Sequence, residues 1–305
     1  NFLDYIQAPD AILAHTGDDI NFSSNNTPDW DPSYVPLIDD SGRTSNKGYE
    51  GVDISPDGKY LYALLQSATI QDGGDKSKSR MNSRLVKYDI SVTPHELVGE
   101  FVVVLPTYES MDGGKSKTNT ASQSEMRVLA EDIIMFLPRD SDLGHGGEDG
   151  TEALFKHVDI WCLKDADNIL GMYDGLGDQI SSSKGKLNSD ITPATYYSFI
   201  DLIDPTELAK FGLHNGGASD STLINEKWEG MTLIPIECTE DEYYLLLVSY
   251  NDYKTTQGFE DFGNITFDAG IDVDNQSMIF HIKLPVLPHG ATCSSSSSVS
   301  SSVAS

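Results

Sequence analysis

Three stretches of this chain repeat one pattern, and that pattern constrains the fold more than any other feature. Glu50-Gly51 opens E-G-V-D-I-S-P-D-G-K-Y-L-Y-A-L-L-Q-S. Glu229-Gly230 opens E-G-M-T-L-I-P-I and continues, after an acidic turn, as Y-Y-L-L-L-V-S-Y-N-D. Ser124-Glu125 opens S-E-M-R-V-L, followed by D-I-I-M-F-L-P-R-D. Each copy is a glutamate, a short strand, a turn, and a longer apolar strand that ends in polar residues. Repetition of one supersecondary unit marks a repeat architecture. In a propeller blade the innermost strand begins near the central channel and the next returns toward it. A glutamate ahead of each inner strand then falls near one end of a shared axis. The competing reading of each copy is a solvated turn residue that happens to precede a strand.

The rest of the chain agrees with a β architecture. Val52–Ser55, Tyr60–Leu65, Leu85–Ile90, Glu100–Val104, Ile133–Leu137, Val158–Leu163, Met231–Ile234, Tyr243–Val248 and Met278–Leu284 are rich in β-branched and aromatic residues. Pro56-Asp57-Gly58 is a tight-turn signal between two of them, hence a hairpin. One short helix is predicted, from the N-cap Asp204 through Pro205 at its first position to about Phe211. The expected fold is all-β, a β-propeller of antiparallel four-stranded blades. The domain reading is an N-terminal segment over 1–42, the propeller over 43–290 and a Ser-rich, disordered stalk over 291–305.

Charge excludes some partners. Forty-eight Asp and Glu face 20 Lys and Arg, a formal net charge of −28. Nucleic-acid binding rests on neutralising phosphates with cations, and anionic membrane surfaces repel such a chain for the same reason. Dense carboxylates suit divalent cations, calcium above all; solubility alone is the plainer explanation. No apolar run approaches the roughly 20 residues that span a bilayer. Asn1 opens directly into mixed sequence, without the basic and apolar regions of a signal peptide, as in a cytosolic, mature or truncated chain.

Other features point outside the cell. N-x-S/T sequons begin at Asn21, Asn25, Asn264 and Asn275, in polar or turn-like context. Ser294–Ser305 is almost pure serine and reads as an O-glycosylated stalk. Cys162, Cys238 and Cys293 show no metal-ligand spacing and allow one disulfide with one cysteine left over. The expected location is extracellular or at the cell surface, with anchoring through the Ser-rich tail and N-glycans on the sequons.

The string N-K-G-Y-E-G-V-D-I-S-P-D-G-K-Y-L-Y-A-L-L-Q-S, Asn46 to Ser67, resembles the signature of phytase-like domains ("esterase-like activity of phytase"). The likeness continues through S-R-L-V-K-Y-D (Ser83–Asp89), the S-E-M-R-V-L…F-L-P-R-D segment, F-G-L-H-N-G-G (Phe211–Gly217), W-E-G-M (Trp228–Met231) and S-Y-N-D (Ser249–Asp252). The ordered set covers about Arg43 to Leu284, and the serine tail is similar to that of fungal members. Residues Asn1–Asp40 show little of the Gly-rich segment that opens the family's domain, which leaves completeness at the N-terminus open.

The resemblance and the repeat imply the same site. Glu50, Glu125, Glu229, Asn251 and Asp252 are the expected oxygen ligands of a calcium ion, since converging carboxylates repel one another unless a cation joins them. Arg84 and Arg139 fall near the same place by strand phasing. A guanidinium there suits a phosphate or carboxylate substrate, and a structural salt bridge to one of the glutamates is the alternative. Gln66 is an ordinary strand-end residue or adds a polar contact, and His214, which lines a pocket after the short helix, joins Arg84 and Arg139 as a catalytic candidate. His145, in the acidic loop G-H-G-G-E-D-G, is a weaker candidate. No G-x-S-x-G elbow occurs, and Asp272-Val273-Asp274 lacks the glycine of a calcium loop. Metal-assisted hydrolysis of a phosphomonoester or other small anionic ester is the expected function. The alternative is a non-catalytic propeller, bound to a cell-wall component, whose calcium is structural.

Overall fold

The structure, a computed structural model, describes residues 6–21, 38–239 and 241–284. Asn25, Cys293 and the serine tail lie outside the described residues. A short hairpin of β1 (His15–Thr16) and β2 (Asp19–Ile20) precedes β3 (Tyr49–Ile54), β4 (Tyr60–Leu65), β5 (Asn82–Asp89) and β6 (Glu96–Val104). These four pair in chain order as an antiparallel sheet. The hairpin β7 (Thr107–Asp112) and β8 (Lys115–Thr120) leads to β9 (Ser122–Ala130), β10 (Ile133–Arg139), β11 (His157–Cys162) and β12 (Thr195–Asp201), which also neighbour one another in chain order. After α1 (Pro205–Lys210) come β13 (Lys227–Pro235) and β14 (Glu242–Tyr250). A small hairpin, β15 (Gly258–Glu260) with β16 (Ile265–Phe267), precedes β17 (Ser277–Lys283), which pairs with β14. The all-β expectation therefore holds. The chain divides into two compact units, residues 1–135 with 160–197, and residues 136–159 with 198–305.

Sequence explains the elements locally. In β4 the run Tyr62-Ala63-Leu64-Leu65 is buried: Ala63 and Leu65 pack with Ile12, Val86 and Tyr88, and β3 and β5 pair with its two edges. Ser55-Pro56-Asp57-Gly58 turns β3 into β4 as its sequence predicts. The Ser55 hydroxyl bonds the Asp57 carboxylate at 2.6 Å, and Gly58 takes φ +74°. Asp204 caps α1 by accepting from the Thr206 and Glu207 N–H groups at 2.8 and 3.1 Å, with Pro205 in the first turn.

The first unit is held by a charged core. Arg84, fully buried in β5, donates Nε to Asp72 at 2.9 Å and Nη1 to Glu100 at 2.7 Å. Nη1 also donates to the Tyr173 carbonyl and Nη2 to the Asp178 carbonyl. Asp72 also accepts from the Thr69 hydroxyl at 2.6 Å and the Ile180 N–H at 2.8 Å. The second unit has its own version. Lys156, fully buried, donates to Asp140 at 2.6 Å and to the Glu226 carbonyl at 2.7 Å. Burial lowers the Lys156 pKa, and the Asp140 carboxylate opposes that shift.

Candidate functional site

Glu50 and Glu229 are both placed by β-bulges. In β3 the register runs Tyr49↔Leu65 then Gly51↔Leu64, so Glu50 is the extra residue. In β13 it runs Trp228↔Ser249 then Gly230↔Val248, so Glu229 is the extra residue. A bulge leaves one residue out of the ladder and re-aims its side chain, a device frequent beside active sites. The repeated E-G pair is therefore a bulge signature inside the first strand rather than a turn ahead of it. Glu125, the third copy, lies within β9. Its carboxylate accepts from the Met126 N–H at 2.9 Å and pairs with Arg127 at 3.2 Å. Burial raises its pKa, opposed by those two partners.

In the second unit Glu229 Oε1 stands 2.6 Å from Arg139 Nη2, and the carboxylate keeps 28% of its side-chain surface exposed. Arg139 ends β10, 6% exposed, and gives Nη1 to the Asp140 carbonyl at 3.0 Å. Tyr250, at the end of β14, has its pKa pushed up to about 12, by burial first and then by Tyr253, Asp252 and Glu229. Its phenol therefore stays protonated at neutral pH. Asp252, in the left-handed region at φ +54°, pairs with Lys227 at 3.1 Å. Asn251 donates Nδ2 to the Val273 carbonyl at 3.1 Å and accepts the Tyr253 N–H through Oδ1 at 3.2 Å. Asp252 and Glu229 thus both act electrostatically on Tyr250, and Arg139 is tied to this set through its pair with Glu229.

In the first unit β3 and β9 lie together. Asp53 Oδ2 accepts the Val128 N–H at 2.8 Å. A β-carbon on Gly51 would stand 2.6 Å from Met126 Cγ, which is why this position is glycine. Glu50 is exposed and accepts from Gln66 Nε2 at 3.0 Å, so the polar contact expected of Gln66 is to this glutamate.

Several expected roles change. Arg84 acts as a structural cation, because its side chain is fully buried and each of its three nitrogens is bonded within the chain. His214 pins its own loop, with Nδ1 2.8 Å from the Gly216 carbonyl and Nε2 3.2 Å from Asp220, which raises its pKa. His145 is 7% exposed, and its N–H is bonded to the Ile224 carbonyl at 2.8 Å, so its loop is held in place. Asn21 is 4% exposed, with Nδ2 given to Asp39 at 2.6 Å, whereas Asn264 and Asn275 are exposed. Cys162 is disulfide-bonded, and Cys238 is free and exposed.

The donor set fits calcium only in part. Among the described residues no group of three or more His, Cys, Asp or Glu side chains is placed to hold a metal ion. Glu125, Glu229 and Asp252 each meet a chain cation, so their charges are already balanced by Arg127, Arg139 and Lys227. Two residues, one in each unit, escaped sequence reasoning. Tyr250 and Gln123 sit at positions where strand patterning reads only a strand end and an ordinary polar residue.

The family described as phytase-like, "Esterase-like activity of phytase", matches residues 2–253. The chain belongs to this family. An "Uncharacterized secreted protein" of Arthroderma benhamiae is 39% identical over 270 residues, 84% of this chain and 52% of that protein. The chain thus spans about half the length of the curated relative it matches. No solved structure matches this phytase-like chain. Among the described residues no helix is long and apolar enough to cross a membrane.

Proposed function

We propose that this phytase-like chain is a secreted or cell-surface hydrolase of small anionic esters, with Arg139, Glu229 and Tyr250 as its working groups. The observation that carries the reading is the Arg139–Glu229 pair at 2.6 Å, set on a bulge and partly open to solvent. Arg139 orients the anionic oxygens of the ester. Glu229 takes a proton from the attacking water, whose oxygen bonds to the phosphorus or carbonyl carbon. The bond to the leaving oxygen breaks, and that oxygen takes a proton from Tyr250. Calcium is a structural ion in this reading and carries no step.

Location and fold belong to the same proposal. The secreted description of the similar protein, the disulfide at Cys162 and the exposed sequons Asn264 and Asn275 support an extracellular setting. A β-propeller is supported by four-stranded sheets in chain order, and by first strands β3 and β9 meeting through Asp53 and Val128. An experimental structure whose sheets shared no central axis would overturn that part.

One observation favours the second reading, a non-catalytic propeller associated with the cell wall. Arg139 and Glu229 neutralise each other as a structural pair does. Assay of the purified protein on a panel of phosphate and carboxylate esters separates the two. Glu229→Gln is expected to lower kcat about 100-fold, the scale of a lost general base. Absence of hydrolysis of any ester leaves the non-catalytic reading standing.

A further inference from the structure

Two buried glutamines in the first unit present oxygens that no donor reaches. Gln66 follows β4, Gln123 lies in β9, and the Gln123 N–H joins them by donating to the Gln66 carbonyl at 3.2 Å. Gln66 is 7% exposed and Gln123 is fully buried. Gln66 gives Nε2 to Glu50 at 3.0 Å, and Gln123 gives Nε2 to the Leu64 carbonyl at 3.1 Å. Those acceptors fix both amide orientations, because turning either amide would set oxygen against oxygen. The free end of each amide is thus Oε1, and neither has a hydrogen-bond partner. The hydroxyls of Ser67 and Ser122, next in sequence to these glutamines, are also buried without a partner.

These oxygens border the Glu50 bulge. A β-carbon on Gly51 would lie 3.2 Å from Gln123 Oε1, so that buried oxygen stands beside the residue that follows Glu50. A buried amide oxygen without a partner is destabilising, so a set of them calls for an occupant. Acceptor-only oxygens beside a carboxylate favour a positive one. Side-chain amide and carboxylate oxygens are ligands that calcium takes, with water and hydroxyls completing a flexible sphere. Glu50 is the exposed member of the set.

We propose that Gln66 and Gln123, together with Glu50, bind a divalent cation of the calcium class between β3 and β9. This assigns the structural calcium of the preceding reading to named oxygens, most of them neutral. The site fails separately from hydrolysis, because binding is read without turnover.

The test uses the whole protein stripped with EDTA and then titrated with calcium chloride, followed by calorimetry and thermal melting. Calcium is expected to raise the Tm of the wild type by several degrees, and Gln123→Met to abolish most of that rise. Gln66→Glu sets a second carboxylate beside Glu50. It is expected to melt lower than the wild type in EDTA, yet to bind calcium about 10-fold more tightly, since affinity follows ligand charge. The absence of any calcium response in the wild type would mean that the oxygens hold only buried water. Equal responses in the wild type and both variants would place the ion elsewhere. Either result overturns the proposal, and Gln66→Glu decides the matter should Gln123→Met fail to fold.

Discussion

Glu50 and Glu229 hold the same station in two different sheets: each is the unpaired residue of a bulge, immediately followed by glycine. The two glycines differ in what surrounds them. At Gly51 a β-carbon would meet Met126 Cγ at 2.6 Å and Cβ at 3.1 Å, whereas at Gly230 it would meet Val248 Cβ at an ordinary 3.5 Å. Gly51→Ala is therefore expected to destabilise the protein by about 1–3 kcal/mol, the scale of overpacking. Gly230→Ala is expected to stay within about 1 kcal/mol of wild type. Urea denaturation of the two variants checks the contrast, and equal losses would contradict it.

Arg84 allows a sharp separation of stability from activity. Replacing it with methionine leaves Asp72 and Glu100 buried without their guanidinium, which is expected to cost on the order of 3–5 kcal/mol. If Arg84→Met folds at low temperature, the kcat of its folded fraction toward any ester the wild type hydrolyses is expected to match the wild type. A normal Tm with weakened substrate binding would restore a substrate role.

Glu100 makes stability depend on pH. Burial pushes its carboxyl up to about 7; Arg84 opposes the shift and the neighbouring Asp174 carboxyl adds to it. Glu100 Oε2 is buried without a donor, and the Asp174 carboxyl lies close enough to disfavour its charged form. A folded pKa above the unfolded value means that the folded state holds the proton more tightly. The stabilisation is thus fully present below about pH 4.5 and is lost as pH rises through about 7. Glu100→Gln keeps an acceptor for Arg84 and supplies a permanent donor toward Asp174. The wild type is expected to lose more stability than this variant between pH 5 and pH 8, measured by denaturation at each pH. Parallel curves would contradict the assignment.

Glycan mapping gives a third kind of check. Asn275 and Asn264 are exposed, while a glycan on Asn21 would require a 4%-exposed side chain to leave its bond with Asp39. Peptide mapping of protein secreted from a eukaryotic host is expected to find occupancy at Asn264 and Asn275 and an unmodified Asn21.

Much of the fold could be read in the sequence because its strands carry their signal locally. Tyr60–Leu65 is predicted and observed with the same bounds, and Asp204 caps α1 as its sequence predicts. The hairpin strands β7 and β8 were missed, because T-Y-E-S-M-D and K-S-K-T-N-T carry polar residues on both faces. The E-G repeat exposed the kinship of Glu50 and Glu229, yet the bulge itself depends on partner register, which no local pattern encodes. Arg84 and Lys156 could not be recognised as buried. A charged residue in a strand reads as solvent-facing, and only distant partners such as Asp72 and Asp140 reverse that. Gln123 was missed for the same reason, since its significance rests on what Leu64 and Gly51 leave around it.

The Asp72–Ile180 hydrogen bond spans 108 positions, across the point where the chain leaves its first unit at residue 135 and returns at residue 160. Neither unit is one continuous stretch, so no single cut yields one of them whole. A protease nick in the Gly-rich loop around Gly146 would produce two pieces that remain one particle in a native gel and part only in denaturant. Contacts so remote in sequence also slow folding, since distant segments must meet before either is stabilised. During synthesis the first unit stays unfinished until its last segment, up to residue 197, has left the ribosome.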